Sequence, residues 1–309
     1  MKRFDSKLAS TIIAGSFVAL IAIAPILIRT IGWRPGYVTQ VYTIIPIWII
    51  SGLSLTIITG YVGQISIAQA ALMGLGAYGT AILSTRGVPI PFSVGAALTV
   101  AIIGAMILGL PTLRLRGPYF VVTSMAFNGI FYEIVVNWID VTRGPNGISN
   151  VPSYGYLPVI GTYLPWGVAL GCMAFVWYLG QTRLGKSMMA VRDDELAAGA
   201  IGLRVVFIKS IAFILSGVLA GTAGVLLGHL IGYVSPEFYN IDQSVFLLTM
   251  ALLGGVRKIE GVVMGAIVMI IIQEVLQGFV YIQLLFYGVT MLAVILFVPQ
   301  GLVSLFERK

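Results

Sequence analysis

"SIAFILSGVLAGTAGVLLGHLIG", residues 210–232, contains no Asp, Glu, Lys or Arg, and its one titratable side chain is His229. At about 1.5 Å of rise per residue the stretch covers the roughly 30 Å hydrocarbon core of a bilayer, so it reads as a membrane-spanning helix. Glycines 217, 221, 224, 228 and 232 recur at spacings of 4, 3, 4 and 4. They lay a smooth stripe along the helix on which a neighbour can pack closely.

The rest of the chain reads the same way. Only 9% of the residues are charged and 59% are hydrophobic, with a mean hydropathy of +1.01, against roughly 25% charged in globular domains. The apolar runs are about 17 to 25 residues long, which suits helices; barrel strands alternate apolar and polar residues in runs of about ten. The expectation is an all-α polytopic membrane protein with about ten transmembrane helices, a single transmembrane domain over 1–309, in the cytoplasmic (inner) membrane. The spans are placed near 9–28, 38–59, 66–84, 92–111, 119–138, 163–180, 210–232, 243–255, 261–279 and 283–299. The first has a basic start, Lys2, Arg3 and Lys7, but is too long for a signal-peptide core and is read as a span. The eighth is short enough to be a half-span or re-entrant element, which survives in lipid only if protein or water covers its ends.

Basic residues set the orientation. With the N-terminus inside, Lys2, Arg3, Lys7, Arg114, Arg116, Arg183, Lys186, Arg192, Arg204, Lys209, Arg257, Lys258, Arg308 and Lys309 fall inside. Arg29, Arg34, Arg86 and Arg143 fall outside, and this asymmetry places both termini in the cytoplasm. The net charge of +7 then expresses topology, and nothing supports nucleic-acid binding.

Chemistry that needs many ligands or a nucleophile is poorly served. There is one cysteine, Cys172, inside an apolar run, and one histidine, His229, so metal-site and triad arrangements are not expected. No GxxxxGK[ST] loop occurs, so ATP is not bound by that route. No cofactor and no metal are expected.

Against this background "AVRDDELAAGAIGL", residues 190–203, is unusually polar. It lies in the longest expected inside loop, 181–209, has good helix formers, and has Gly202 as a stop. Met188, Met189, Val191, Leu196 and Ile201 supply apolar side chains among the charges. One reading is a docking helix that fits the groove of another protein; the other is a solvated loop helix kept out of the bilayer by its charges.

These residues carry a resemblance. The chain is similar to the LivM-type permease subunits of ATP-binding cassette importers for branched-chain amino acids, whose cytoplasmic loop follows the pattern E-x-A-A-x-x-x-G. Glu195, Ala197, Ala198 and Gly202 match it in order, after the lead-in Arg192, Asp193 and Asp194. Further matching stretches are "GYVGQISIAQAALMGLGAY" (60–78), "RLRGPYFVVTSMAF" (114–127), "TRGPNGI" (142–148), "GYVSPEF" (232–238) and "LLGGVRKIEGVVMGA" (252–266). Ala68 and Gln69 stand where the family often has Gly-His, and the I-x-L-P extension found in other importers is absent. The resemblance implies a subunit without enzymatic activity, with Arg192, Asp193, Asp194, Glu195, Ala197, Ala198 and Gly202 as the ATPase-coupling loop. The implied partners are cytoplasmic ATPase subunits, a second permease subunit that is a distinct relative, an extracytoplasmic solute-binding protein, and a small-molecule substrate such as leucine, isoleucine or valine. Urea or short amides are the alternative cargo.

Polar residues within spans need a reason, since an ionised group at a helix centre costs about 2.5–3.5 kcal/mol on insertion scales. Glu133, Glu274 and His229 are expected at similar depth near the outer boundary, with Asn137 on the face of Glu133. They either line a wet outer vestibule or snorkel to the interface. Ser124 and Asn128, at i,i+4, either line the path or bond to a neighbouring helix. Gln64, Ser66 and Gln69 open a Gly/Ala-rich span, either as a broken helix near the path or as close packing. A self-sufficient ion-coupled carrier acting through Glu133 or Glu274 is the competing class, but such carriers place their ionisable groups near the midplane.

Overall fold

The computed structural model describes residues 35–112, 117–154, 158–275, 285–292 and 301–302. The expected first span, 9–28, and most of the tenth, 283–299, lie outside the described residues. Helix α1, Pro35–Leu55, continues through a π-helical turn, Thr56–Tyr61. Then come α2, Gln69–Thr85, α3, Ile90–Thr112, and α4, Pro118–Asn137. After strand β1, Ile148–Ser149, come α5, Pro158–Gln181, α6, Arg183–Asp193, and α7, Glu195–Ala200. Helix α8, Val205–Ile231, is followed by strand β2, Tyr233–Val234, α9, Ile241–Gly254, and α10, Ile259–Val275.

Among the described residues, five helical stretches are long and apolar enough to cross a bilayer: Gly36–Tyr61, Ile90–Gly109, Pro118–Asn137, Gly161–Gln181 and Val205–Ile231. Helices α2 and α9 start later than continuous spans would. The 14 residues of α9 reach only about 21 Å at 1.5 Å each.

The glycine stripe explains why α8 sits at the centre. A Cβ on Gly217 or Gly221 would press on the methyl groups of Ala105 or Ala101 in α3, and one on Gly224 would land on the carbonyl of Met73 in α2. Gly228 lies over Ala77. The pairs 73/224 and 77/228 ascend together, so α2 runs parallel to α8, while 105/217 and 101/221 make α3 antiparallel.

A second relation is written into the backbone. Residues 62–68 after α1 and 232–240 after α8 are non-helical apart from the 3₁₀ turn Pro236–Tyr239, and a short helix follows each break. Helix α1 runs against α8, since its first residues, Tyr37 and Val41, lie beside the last turns of α8 at Leu227 and Ile231. Helix α9 runs parallel to α1: Trp48 meets Phe246 edge-on at 5.7 Å between ring centroids, and Gly52 faces Met250. Each half is thus a long helix, a break and a shorter helix, the two halves pointing oppositely, in the manner of an inverted repeat. Gly-Tyr-Val stands at 60–62 and again at 232–234, where each break begins.

The two ends of the bundle are distinct. At one, β1 pairs antiparallel with β2, Ile148 opposite Val234. At the other, α6 and α7 lie against the end of α1 and the start of α8, joined by the contacts of Arg192 and Lys209.

Candidate functional site

Both breaks close on α4. Asn128, fully buried, donates through Nδ2 to the carbonyls of Ile67 (3.2 Å) and Asn240 (3.4 Å) and to the Ser244 hydroxyl. Ser124 Oγ accepts from the Ile67 amide at 3.0 Å, and Ser244 Oγ accepts from the Ala70 amide at 3.0 Å. Non-helical backbone at membrane depth is tolerated only where its N–H and C=O groups are paired within the protein. Two side chains one turn apart on α4 supply that pairing for both breaks. Gln69 donates through Nε2 to Ser216 of α8 at 2.9 Å, and Ser66 accepts from the Ala68 amide. Gln64 is buried in the first break, where its backbone carbonyl accepts from the Thr59 hydroxyl. The sequence signals for Ser124 and Asn128 therefore converge on one interior node, while Gln69 ties α2 to α8.

Glu133, Glu274 and His229 do not gather. Glu133 is on the exposed face of α4, where Asn137 Nδ2 donates to its carboxylate at 3.0 Å. His229 is fully buried, with Nδ1 against the Pro152 carbonyl and Nε2 2.8 Å from the Thr80 hydroxyl. A carbonyl can only accept, so Nδ1 carries a proton, and the ring ties α8 to α2 and the loop before α5. Glu274, near the end of α10, accepts from the hydroxyl of Tyr37.

The polar stretch 190–203 corrects one expectation. It forms two helices instead of one, because Asp194 leaves the helical region (φ −156, ψ 111) and caps α7, accepting from the amides of Leu196 (2.8 Å) and Ala197 (3.0 Å). An N-cap aspartate satisfies two of the amide donors that a helix start leaves open. The chain then turns at Gly202 (φ 88), and α8 begins at Val205.

Two polar ties bind this segment to the long helices. Arg192 Nη1 donates to the Gly60 carbonyl at 2.8 Å, at the π-helical turn ending α1, and its stem covers Gly63. The same guanidinium also holds Asp193 through Nε and Nη2. Glu195 Oε1 meets Lys209 Nζ in the first turns of α8 at 2.9 Å. The Lys209 side chain is 2% exposed and that of Glu195 is 23% exposed. Lys209 went unmarked in the sequence as a site residue; a single lysine at the mouth of an apolar helix was the available signal. Ala198 is buried, while Leu196, Ile201, Val206 and Phe207 are large, apolar and exposed.

The family described as "Branched-chain amino acid transport system / permease component" matches residues 37–298. The chain belongs to that permease family. It is 30% identical to the high-affinity branched-chain amino acid transport system permease protein LivM of Salmonella typhimurium, over 86% of this chain and 70% of the relative. LivM of Escherichia coli is also 30% identical, over 91% of this chain and 74% of the relative. The autoinducer 2 import system permease protein LsrC of Yersinia pseudotuberculosis is 26% identical, over 69% and 62%. No solved structure matches. As a member of the permease family the chain is a multi-pass transport component of the cytoplasmic membrane, and its relatives are permeases, not enzymes. Among the described residues of this permease, no group of three or more His, Cys, Asp or Glu side chains could hold a metal ion.

Proposed function

We propose that the protein is the permease subunit of an ATP-binding cassette importer that moves branched-chain or closely related amino acids inward, with ATP hydrolysis on a separate cytoplasmic subunit. The observation that carries this is the pair α6–α7. It offers two exposed apolar side chains, Leu196 and Ile201, on a segment anchored by Arg192 to α1 and by Glu195 to α8. A segment built only for solvation has no use for two large exposed apolar side chains beside two anchored charges. In this reading Arg192, Asp193, Asp194, Glu195, Ala197, Ala198 and Gly202 form the coupling surface and the ATPase subunit covers it. The α6–α7 end is then cytoplasmic, which agrees with the basic-residue bias and with about ten crossings and both termini inside. A second permease subunit and an extracytoplasmic binding protein complete the importer, and their states are linked through the same membrane assembly.

The similarity to LsrC supports a second cargo class, since that relative's name concerns autoinducer 2. The apolar amino acid reading is preferred because both relatives at 30% identity are branched-chain amino acid permeases.

The test uses a Cys172→Ser background with single cysteines at Leu196 or Ile201. Crosslinking in membranes is expected to give an adduct with the ATPase subunit that disappears when that subunit is omitted. Labelling of either cysteine only from the outside of sealed cells would reverse the proposed orientation and discard the coupling role.

A further inference from the structure

The six residues that close α1, Thr56–Tyr61, are wound as a π-helix and are all buried. A π turn bonds each amide five residues back instead of four, so it holds one residue more than an α-helical turn. The cap repeats the excess. Gly63 is left-handed (φ 80), as in a Schellman cap, where the next amide bonds to the carbonyl five residues back. Here the Gln64 amide passes the carbonyl of Thr59 and bonds to that of Ile58, six residues back, at 3.1 Å. The ordinary closure lies one carbonyl away, on Thr59.

One side chain clamps both ends of this closure. A helix end leaves its last carbonyls open, and that of Gly60 accepts from Arg192 Nη1 at 2.8 Å. The stem of Arg192 lies over Gly63, where a Cβ would overlap it. Behind Gly60 stands the carbonyl of Val256, in the turn between α9 and α10, leaving no room for a side chain. Past the turn the chain reaches Ile67, whose amide and carbonyl are held by Ser124 and Asn128. A surplus residue tolerated as a local defect would account for the winding. It leaves unexplained why the clamp comes from α6, the segment assigned to the ATPase subunit. We infer that Thr56–Tyr61 is a two-state switch. It is wound as a π-helix while Arg192 holds Gly60, and relaxes to an α-helix with the ordinary cap when the ATPase subunit draws α6 away. One residue is then handed to the break at 62–68, and the end of α1 turns by about 100°, the step of one α-helical residue. Ile67 exchanges its bonds to Ser124 and Asn128 as it passes, so the interior node follows the cytoplasmic segment in one discrete step. The inference rests on the coupling role proposed for α6–α7 and deepens it by naming the element that carries the motion inward.

The test places spin labels at Gln40 and Ile65, exposed positions on either side of the turn, in a Cys172→Ser background of the assembled permease–ATPase complex. Trapping nucleotide with vanadate is expected to shift the distance between the labels by about 3 Å, the length of one extended residue. Arg192→Gln should abolish that shift and lower leucine uptake severalfold relative to the unaltered importer. Arg192→Lys, which keeps a donor for the Gly60 carbonyl, should restore part of both. Deleting Ile58 removes the surplus residue and should lock the turn, so that ATP hydrolysis persists while uptake falls at least tenfold. The distance is read on the intact turn and does not depend on the deletion variant folding. A distance that ignores nucleotide although cysteines at Leu196 and Ile201 crosslink to the ATPase subunit overturns the switch and leaves the coupling role standing. So does a shift undiminished in Arg192→Gln, or normal uptake by the Ile58 deletion. Absence of both crosslinks overturns the coupling role, and the switch falls with it.

Discussion

Asn128→Leu is expected to keep the protein from reaching a stable fold in the membrane, although it replaces one side chain by another of similar size with better hydropathy. The reason is the number of backbone groups that depend on one amide. Nδ2 serves the carbonyls of Ile67 and Asn240 and the hydroxyl of Ser244. Leucine leaves the Ile67 carbonyl without that donor, at about 1–3 kcal/mol by the cost of a buried unsatisfied group, and weakens the pairing of the Asn240 carbonyl and the Ser244 hydroxyl, which keep the Ser244 and Ala70 amides. Asn128 Oδ1 is itself unpaired, so its removal offsets part of the loss. The net, a few kcal/mol, is a large share of the about 5–15 kcal/mol that typically separates folded from unfolded protein. Folded yield in detergent, followed by size-exclusion chromatography, should fall severalfold, whereas Ser124→Ala, which strands one amide, should fall less. Equal and normal yields for both would mean that the breaks hold themselves without α4.

This node also marks where sequence reading succeeded and stopped. The apolar runs at 38–59, 119–138 and 210–232 became α1 with its π-helical turn, α4 and α8 within a few residues, because a bilayer leaves an uncharged 20-residue run almost no alternative to a helix. The glycine stripe of α8 also packed as its spacing implied. The run at 243–255 reads as a half-span or re-entrant element and the start of 66–84 as a broken helix or close packing, but the sequence leaves open which of the alternatives holds. Hydropathy does not distinguish a helix that starts inside the bundle from one that crosses it, since both are apolar. The informative sign was the repeated Gly-Tyr-Val, which periodicity does not weigh. Glu133, Glu274 and His229 looked equivalent by depth, yet depth fixes only one coordinate; the azimuth of each helix puts His229 inside, Glu133 on the surface and Glu274 on a crevice. Likewise 190–203 reads as continuous helix from propensity, and the interruption depends on Asp194 choosing two backbone amides over a helical conformation, a local competition in which aspartate often favours the cap.

The last expectation concerns the tie from α7 to α8. Removing either partner of a buried ion pair strands the other, at about 3–5 kcal/mol when it has no water to return to. The two partners here differ: Lys209 is 2% exposed and Glu195 is 23% exposed. Glu195→Gln therefore leaves a buried ammonium facing a neutral amide, while Lys209→Met leaves a carboxylate that can draw water. Glu195→Gln should lower the thermal midpoint of the purified complex clearly more than Lys209→Met. The tie has a mechanical consequence as well. If the ATPase subunit moves α6–α7, the force reaches α1 through Arg192 and α8 through Glu195, and each of those helices leads into one of the two breaks that meet at Asn128. Cutting the α8 tie should then reduce amino acid moved per ATP hydrolysed in proteoliposomes severalfold, with hydrolysis itself retained. The exchanged pair, Glu195→Lys with Lys209→Glu, restores an attraction across the same gap and should recover part of that ratio, although it buries a glutamate where the lysine was. A purely structural role predicts something else: uptake and hydrolysis would decline together in the single variants, at a constant ratio, and the exchanged pair would change only the midpoint.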